Sequence, residues 1–361
     1  MNVTRLRTEV VRLPLARPIP SGRLTIVSID CILVFLETDE GAVGEGLVFT
    51  LNGHRLGVLH AMLQSLEPLV IGAQPAASGA FWARAFADLA FLGHAGVGAV
   101  ALAGLDMALW DLKGKQAGLN IGQLLGRCHE SMAVYRSGGL RLSQTIDELQ
   151  REAADFVQQG FRAMKMSLGK ADPQEDRARV AAVREAVGGE VTLMADCNQQ
   201  FTASRAIRLG RMLEEFQLGW IEEPVPYQDH AASAAVARAL DTPIASGENE
   251  YLRRGMLDMV RAGAADILMP DLQRMGGPTE LLKVAHHAEL AGLPVSLHLF
   301  SEMSLALAVA LPNAQLLEYM PWFAPLYADP LWPDAQGRVA APLAPGWGRA
   351  FDPQAIARFR I

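Results

Sequence analysis

Between residues 131 and 320 short apolar runs alternate with helical stretches, and this alternation constrains the fold more than any other feature of the chain. The runs are MAVYRS, RAMKMSL, VTLMADCN, GWIEEPV, PIASGEN, ADILMPDL, PVSLHLF and QLLEYM, and amphipathic segments such as IDELQREAADFVQQG and QEDRARVAAVREAVG lie between them. Strand–helix alternation means parallel strands joined by helical crossovers. Eight such runs fit a closed barrel, with an open, doubly wound sheet as the competing arrangement.

The flanking segments read differently. Ile26–Thr38 is a β-branched apolar run ended by the turn signal Asp39-Glu40-Gly41, and a second strand covers Ala42–Phe49. From about Arg55 to Gly118 the period becomes helical. Leu102, Leu105, Leu109 and Leu112 mark one face, with Asp106 and Lys113 elsewhere on the wheel. Gly96 to Ala101 matches GxGxxA, but in an Ala/Gly-rich helical stretch this spacing reads as close helix packing, not a dinucleotide site. The last 40 or so residues are rich in Pro and Gly and are expected to return to the N-terminal unit. The expected division is an α+β domain over 1–125, a barrel over 126–325 and a returning segment over 326–361.

Composition narrows the partners. The formal net charge is −7 and no Lys/Arg cluster occurs, so a nucleic-acid partner is not expected. The apolar stretch from Leu89 to Leu105 is broken by glycines and His94 and is too short to span a bilayer. The three cysteines, Cys31, Cys128 and Cys197, cannot build a disulfide framework. With no secretory signal pattern at the start, a cytoplasmic location is expected.

Charged residues interrupt the apolar runs in phase. Lys165, Asp196, Glu222, Glu248, Asp271, His298 and Glu318 each fall near the end of a predicted strand, at gaps of 31, 26, 26, 23, 27 and 20 residues. In a barrel these ends share one mouth. Carboxylates about 4 Å apart repel by about 4 kcal/mol at an effective dielectric of about 20, so such a cluster calls for a cation. Asp196, Glu222 and Glu248 offer hard oxygens without thiolate or clustered imidazole, a set suited to Mg²⁺ or Mn²⁺. Asn198 shares a strand face with Asp196 and could touch metal or substrate. Glu223 points the other way and is expected in a structural ion pair. His298 and Asp271 come from neighbouring strands, where a carboxylate fixes the imidazole tautomer and raises its basicity. Lys165 is expected to neutralise a substrate carboxylate, with Ser167 on the same face. Arg136, ending the first barrel strand, is a candidate for an anionic substrate group. Arg23 and His54, in two loops of the N-terminal unit, are candidates to cap the pocket. WFAPLY, after the last strand, is expected to add apolar surface near the mouth.

These strings resemble the enolase superfamily, specifically its mandelate racemase-like branch, over nearly the whole chain. AGLDMALWDLKGK is similar to the branch's N-terminal signature, and LMADCNQ, WIEEP, SGEN, LMPDLQRMGG and SLHLF to its successive metal and catalytic segments. The resemblance implies an N-terminal α+β capping domain on a modified (β/α)₇β barrel. It implies Mg²⁺ on Asp196, Glu222 and Glu248, a His298–Asp271 base dyad, and a Glu318 that hydrogen-bonds the substrate carboxylate as it becomes an enolate. It also implies a homo-oligomer, dimeric or octameric. Branch members commonly carry Lys-x-Lys on the second barrel strand, the second lysine being a base opposite the histidine. Here the string is Lys165-Met166-Ser167, and a serine hydroxyl is too weak a base for a carbon-bound proton.

The shared chemistry of the branch is abstraction of the proton α to a carboxylate. With one base retained, dehydration of an acid sugar to a 2-keto acid is the leading expectation. Racemisation or epimerisation, with Lys165 as a substitute base, stays open. So does a barrel that binds metal and a carboxylate ligand without catalysis.

Overall fold

The computed structural model describes residues 1–21 and 24–361. Three strands, β1 (Val3–Ser21), β2 (Leu24–Thr38) and β3 (Val43–Leu51), form an antiparallel sheet in that order. Strand β2 is apolar from Cys31 to Leu36 because both its faces are buried there. Ile29, Cys31, Leu33 and Phe35 join the core shared with the barrel, while Ile32, Val34 and Leu36 join the core under the cap helices. A period of two separates those sets.

The helix Val97–Ala117 lies on this sheet. Gly44 and Gly46 of β3 permit the close approach, since a Cβ on either would run into the carbonyl oxygens of Ala108 and Gly104. The helix is buried nearly all round, including Asp106 and Asp111, and so departs from the one-sided pattern expected of it. Its other side meets the barrel helix Pro278–Leu290. There Asp106 accepts hydrogen bonds from the Thr279 N–H and Oγ1, both 2.8 Å long, at the start of that helix.

The parallel strands are β4 (Ser131–Arg136), β5 (Ala163–Ser167), β6 (Thr192–Asp196), β7 (Ile221–Glu222), β8 (Ile244–Ser246), β9 (Ile267–Leu268) and β10 (Leu317–Tyr319). They run β10-β4-β5-β6-β7-β8-β9 around the ring. The segment 294–298 closes it, bridging Leu268 on one side and Ala314 on the other through Val295, and Asp271 through His298. Seven helices follow seven of these strands. The eighth strand, β10, leads instead into the C-terminal segment, so the barrel is (β/α)₇β. Its interior is packed with Tyr135, Met194, Trp220, Ala245, Ile267 and Met269.

The C-terminal segment serves both units. Strand β11 (Arg338–Ala340) pairs antiparallel with β4, Trp347 donates to Asp111 and the Glu45 carbonyl, and Arg360 meets Glu9 of β1 at 3.1 Å. Among the described residues no helix is long and apolar enough to cross a membrane. All three cysteines are free.

Burial pushes the Asp106 carboxyl up to about 7, against its hydrogen bonds from Thr279. Between the usual aspartate value and about 7 the native state therefore holds a proton that the unfolded state has lost, and stability falls as pH rises through that window. Asp106→Asn removes this dependence. Urea unfolding from pH 4 to pH 8 should show the wild type losing up to about 4 kcal/mol relative to the variant; parallel pH profiles would refute the assignment.

Candidate active site

A cavity of about 660 Å³ lies between the C-terminal ends of the barrel strands and the N-terminal sheet. Its floor is set by strand alternation. From β5, Lys165 and Ser167 face the cavity, and Asp196 follows from β6 in register with Ser167. Glu222 of β7 is in register with Asp196 and fully buried beneath it. Glu248, Asp271, His298 and Glu318 complete the ring. Several strands leave the barrel through left-handed backbone, at Asn198 (φ 43°), Gln199 (φ 62°), Glu223 (φ 39°), Leu299 (φ 53°) and Phe300 (φ 51°). Such turns cost about 1–2 kcal/mol each outside glycine and cluster where side chains must be aimed.

Lys165 is the hub of the floor. Its ammonium is ion-paired with Glu222, 3.4 Å from Glu318 Oε1 and 3.7 Å from Asp196 Oδ2. The second Glu222 oxygen accepts from Trp220 Nε1 at 3.0 Å. Burial would lower the lysine's pKa, but Glu222 and its other anionic neighbours push it well above the ordinary value. Burial drives Glu222 well above the usual carboxylate range and raises Asp196, Lys165 opposing both shifts. One lysine is thus too little positive charge for the carboxylates around it.

His298 Nδ1 is 2.7 Å from Asp271 Oδ2, and Asp271 is held in turn by the Arg274 N–H at 2.8 Å. The other ring nitrogen, Nε2, faces the cavity, 3.2 Å from Glu248 Oε2 and 4.0 Å from Glu318 Oε2. Burial lowers the imidazole's pKa, but Glu248, Asp271 and Glu318 outweigh it and bring the group to about 10. Burial likewise raises Glu318, yet Lys165, His298, the Leu299 N–H and Ser137 outweigh it and hold the carboxyl at about 2.

Asp196, Glu222 and Glu248 are a donor set of the right chemistry for a hard divalent ion, and the charge deficit around them is what such an ion corrects. With Lys165 and His298 drawn onto these oxygens, no three His, Cys, Asp or Glu side chains among the described residues converge on one ion-sized point. Asn198 sits beside them, its amide donating to Asp196 Oδ2 at 2.9 Å.

Known proteins carry the same architecture. Residues 4–126 match the mandelate racemase / muconate lactonizing enzyme N-terminal domain, and residues 148–355 match the enolase C-terminal domain-like family. The chain belongs to the mandelate racemase / muconate lactonizing enzyme branch of the enolase superfamily. It is 32% identical over 332 residues to L-talarate/galactarate dehydratase of Salmonella typhimurium, covering 90% of this chain and 83% of that protein. It is 31% identical over 360 residues to 3,6-anhydro-alpha-L-galactonate cycloisomerase of Streptomyces coelicolor, covering 99% of each. Among solved structures it superposes with a TM-score of 0.94 on L-talarate dehydratase from Polaromonas sp. JS666 complexed with Mg and L-glucarate, at 35% identity over 100% of this chain and 97% of that one.

Some expectations need correction. Arg136 does not reach the cavity. It follows the inward-facing Tyr135 and so points outward, where its guanidinium lies over Phe156, Phe161 and Tyr319 at 4.9, 5.8 and 5.5 Å and donates to the Ser137 carbonyl. His54 is exposed on the turn after β3 and lines no part of the cavity; Phe49, Thr50 and Leu51 supply that wall. Arg23 lies outside the described residues. Glu223 is bound by the amides of Gln199 and Asn249 and forms no ion pair among the described residues. Trp322, from WFAPLY, does line the cavity.

Ser137, Arg141, Gln273 and Arg274 also line it and were not anticipated. Ser137 was accessible from alternation, two residues after Tyr135 on the same strand face. Arg141 lies in a loop, where no periodicity applies. Because Arg136 belongs to the barrel's outer layer, Arg136→Met should leave KM for substrate within about two-fold and change stability by about 1 kcal/mol. A KM raised by an order of magnitude would return Arg136 to the substrate.

Proposed function

We propose that this protein dehydrates a polyhydroxy carboxylic acid to a 2-keto acid. The observation that carries the reading is the asymmetry of the mouth. A carboxylate-backed imidazole stands at one side, and across from it the second barrel strand presents Ser167 where the branch commonly has a basic lysine. One base suffices for elimination, whereas racemisation needs one on each face of the α-carbon.

Asp196, Glu222 and Glu248 would hold the divalent ion, Mg²⁺ by analogy with the Polaromonas relative. When bound, it would relieve the carboxylates' repulsion and stabilise negative charge on the substrate carboxylate. The remaining work falls to the chain. Lys165 stays an ammonium among its carboxylates and offsets charge on the same substrate group, which also disqualifies it as a second base. With Glu248 neutralised by a bound ion, the charge that most raises the imidazole's pKa would fall, leaving His298 Nε2 free to take the α-proton while Asp271 fixes Nδ1 and supports the imidazolium. The C–H electron pair moves into the carboxylate to give an enolate. Glu318, ionised as it stands, would take up a proton from solvent as the substrate carboxylate settles beside it, and would then donate a hydrogen bond to the developing enolate. The imidazolium then returns its proton to the β-hydroxyl, which leaves as water. The resulting enol tautomerises to the 2-keto acid.

The test is incubation with a panel of acid sugars and Mg²⁺ in ²H₂O. The expected product is a 2-keto acid, with activity lost to a chelator and restored by Mg²⁺. Returned substrate with an inverted, deuterated α-carbon would replace this reading with racemisation, and no exchange on any bound acid would leave a binding protein. His298→Asn should lower turnover by about 10²–10⁴-fold while Mg²⁺ still raises the melting temperature. Ser167→Lys should retain elimination, since that side supplies no required base; an inactive variant that still binds metal would count against the assignment.

A further inference from the structure

Arg141 is a cation in the cavity that the proposed reaction leaves unused. Its side chain lines the cavity, yet Nε and Nη2 are both buried without a hydrogen-bond partner among the described residues. Arg274, in the same cavity, donates to the Glu248 carbonyl at 2.6 Å. Lys165 is shared among three carboxylates. Desolvating a guanidinium without acceptors is costly, and such a group persists where a ligand completes it.

The loop that carries Arg141 is a built position. Leu140, in left-handed backbone (φ 51°), donates its N–H to Glu152 at 2.6 Å and accepts from the Ser167 N–H at 3.0 Å. Arg141's own N–H donates to Gln144. Arg179 Nη2 then donates to the carbonyls of both Arg141 and Ser167, at 3.0 and 3.4 Å. These bonds fix Arg141 beside the strand end where the branch's second lysine is replaced by serine. Burial lowers the guanidinium's pKa, and the charges of Asp196, Glu152 and Glu318 act against that shift.

We infer that Arg141 receives a second carboxylate of the substrate, making the substrate class a polyhydroxy dicarboxylate rather than a monocarboxylate. The inference rests on the proposed elimination only in placing the first carboxylate at Lys165. The planar fork of a guanidinium matches a carboxylate through paired hydrogen bonds. A dianion also suits a mouth whose charge balance already depends on added cations. An aldonate would put a hydroxymethyl group at Arg141 and leave the guanidinium uncompensated, a penalty a selective site can exploit.

The experiment is calorimetric binding to Mg²⁺-loaded protein, in a His298→Asn background that prevents turnover. The probes are matched pairs differing only at the terminal carbon, galactarate with galactonate and glucarate with gluconate. At least one aldarate should bind about ten-fold or more tightly than its aldonate. Arg141→Met should remove that preference by weakening the aldarate alone, bringing the pair within about two-fold, and Arg141→Lys should keep part of it. Overturning results are no preference in any pair, a preference that survives Arg141→Met, or equal weakening of both partners. Arg141→Gln, which also removes the charge, carries the same comparison if the methionine variant does not fold. An aldarate preference that depends on Arg141, without 2-keto acid formation by the parent protein, would sink the elimination and leave this assignment standing.

Discussion

The site depends on keeping several carboxylates close together in a place that water barely reaches. Glu222 and Glu318 are fully buried, and Lys165 is the cation that touches both while lying near Asp196. The barrel makes this crowding unavoidable, because register sets Asp196 beside Glu222 and the ring brings Glu248, Asp271, His298 and Glu318 to the same mouth. Removing one partner from such a group leaves uncompensated buried charge, which costs more than the pair contributes. The same imbalance makes the site receptive to a divalent ion and, through it, to an anionic ligand.

The rest of the architecture reads as support for that arrangement. The barrel holds the ionisable groups on strand ends, and the N-terminal sheet closes the cavity with an apolar wall that includes Phe49, Leu51 and Ile19. The two units are joined by polar contacts as well as by packing: the Phe49 N–H donates to Gln273 at 2.8 Å, and Trp110 Nε1 donates to Thr279 at 2.8 Å. The cap is thereby held against the residues that shape the mouth. A wall of this kind lowers the local dielectric and strengthens each electrostatic contact below it.

Much of the fold was legible because two periodicities carry it. Alternation of strands and helices implies the barrel, and the in-phase charges mark its mouth. What failed did so for identifiable reasons. Asp106 was read from a helical wheel as lying off the apolar face, but the helix is enclosed by the cap sheet on one side and Pro278–Leu290 on the other, a contact between residues 173 positions apart in sequence. The charge of Arg136 at a strand end suggests the mouth, but the inward phase of β4 belongs to Tyr135. His54 lies in a loop, and loops carry no periodic signal that would place its side chain.

Arg141 shows what a sequence alone could not supply. Its importance lies in the absence of a partner for two buried nitrogens among the described residues, a property of three-dimensional surroundings and not of spacing. Arg179 is also buried, but it spends its terminal nitrogens on loop carbonyls and holds the loop. Arg136 lies against aromatic rings outside the barrel. Each of the three has a buried Nε without a partner among the described residues, but Arg136 packs on aromatic rings, Arg179 bonds loop carbonyls and Arg141 lines the cavity, so surroundings separate them where residue type does not. The division also explains how the site can do without a second lysine near Ser167. A positive charge remains beside that strand end, but on a guanidinium that keeps its proton, so the position can bind an anion without offering a second base.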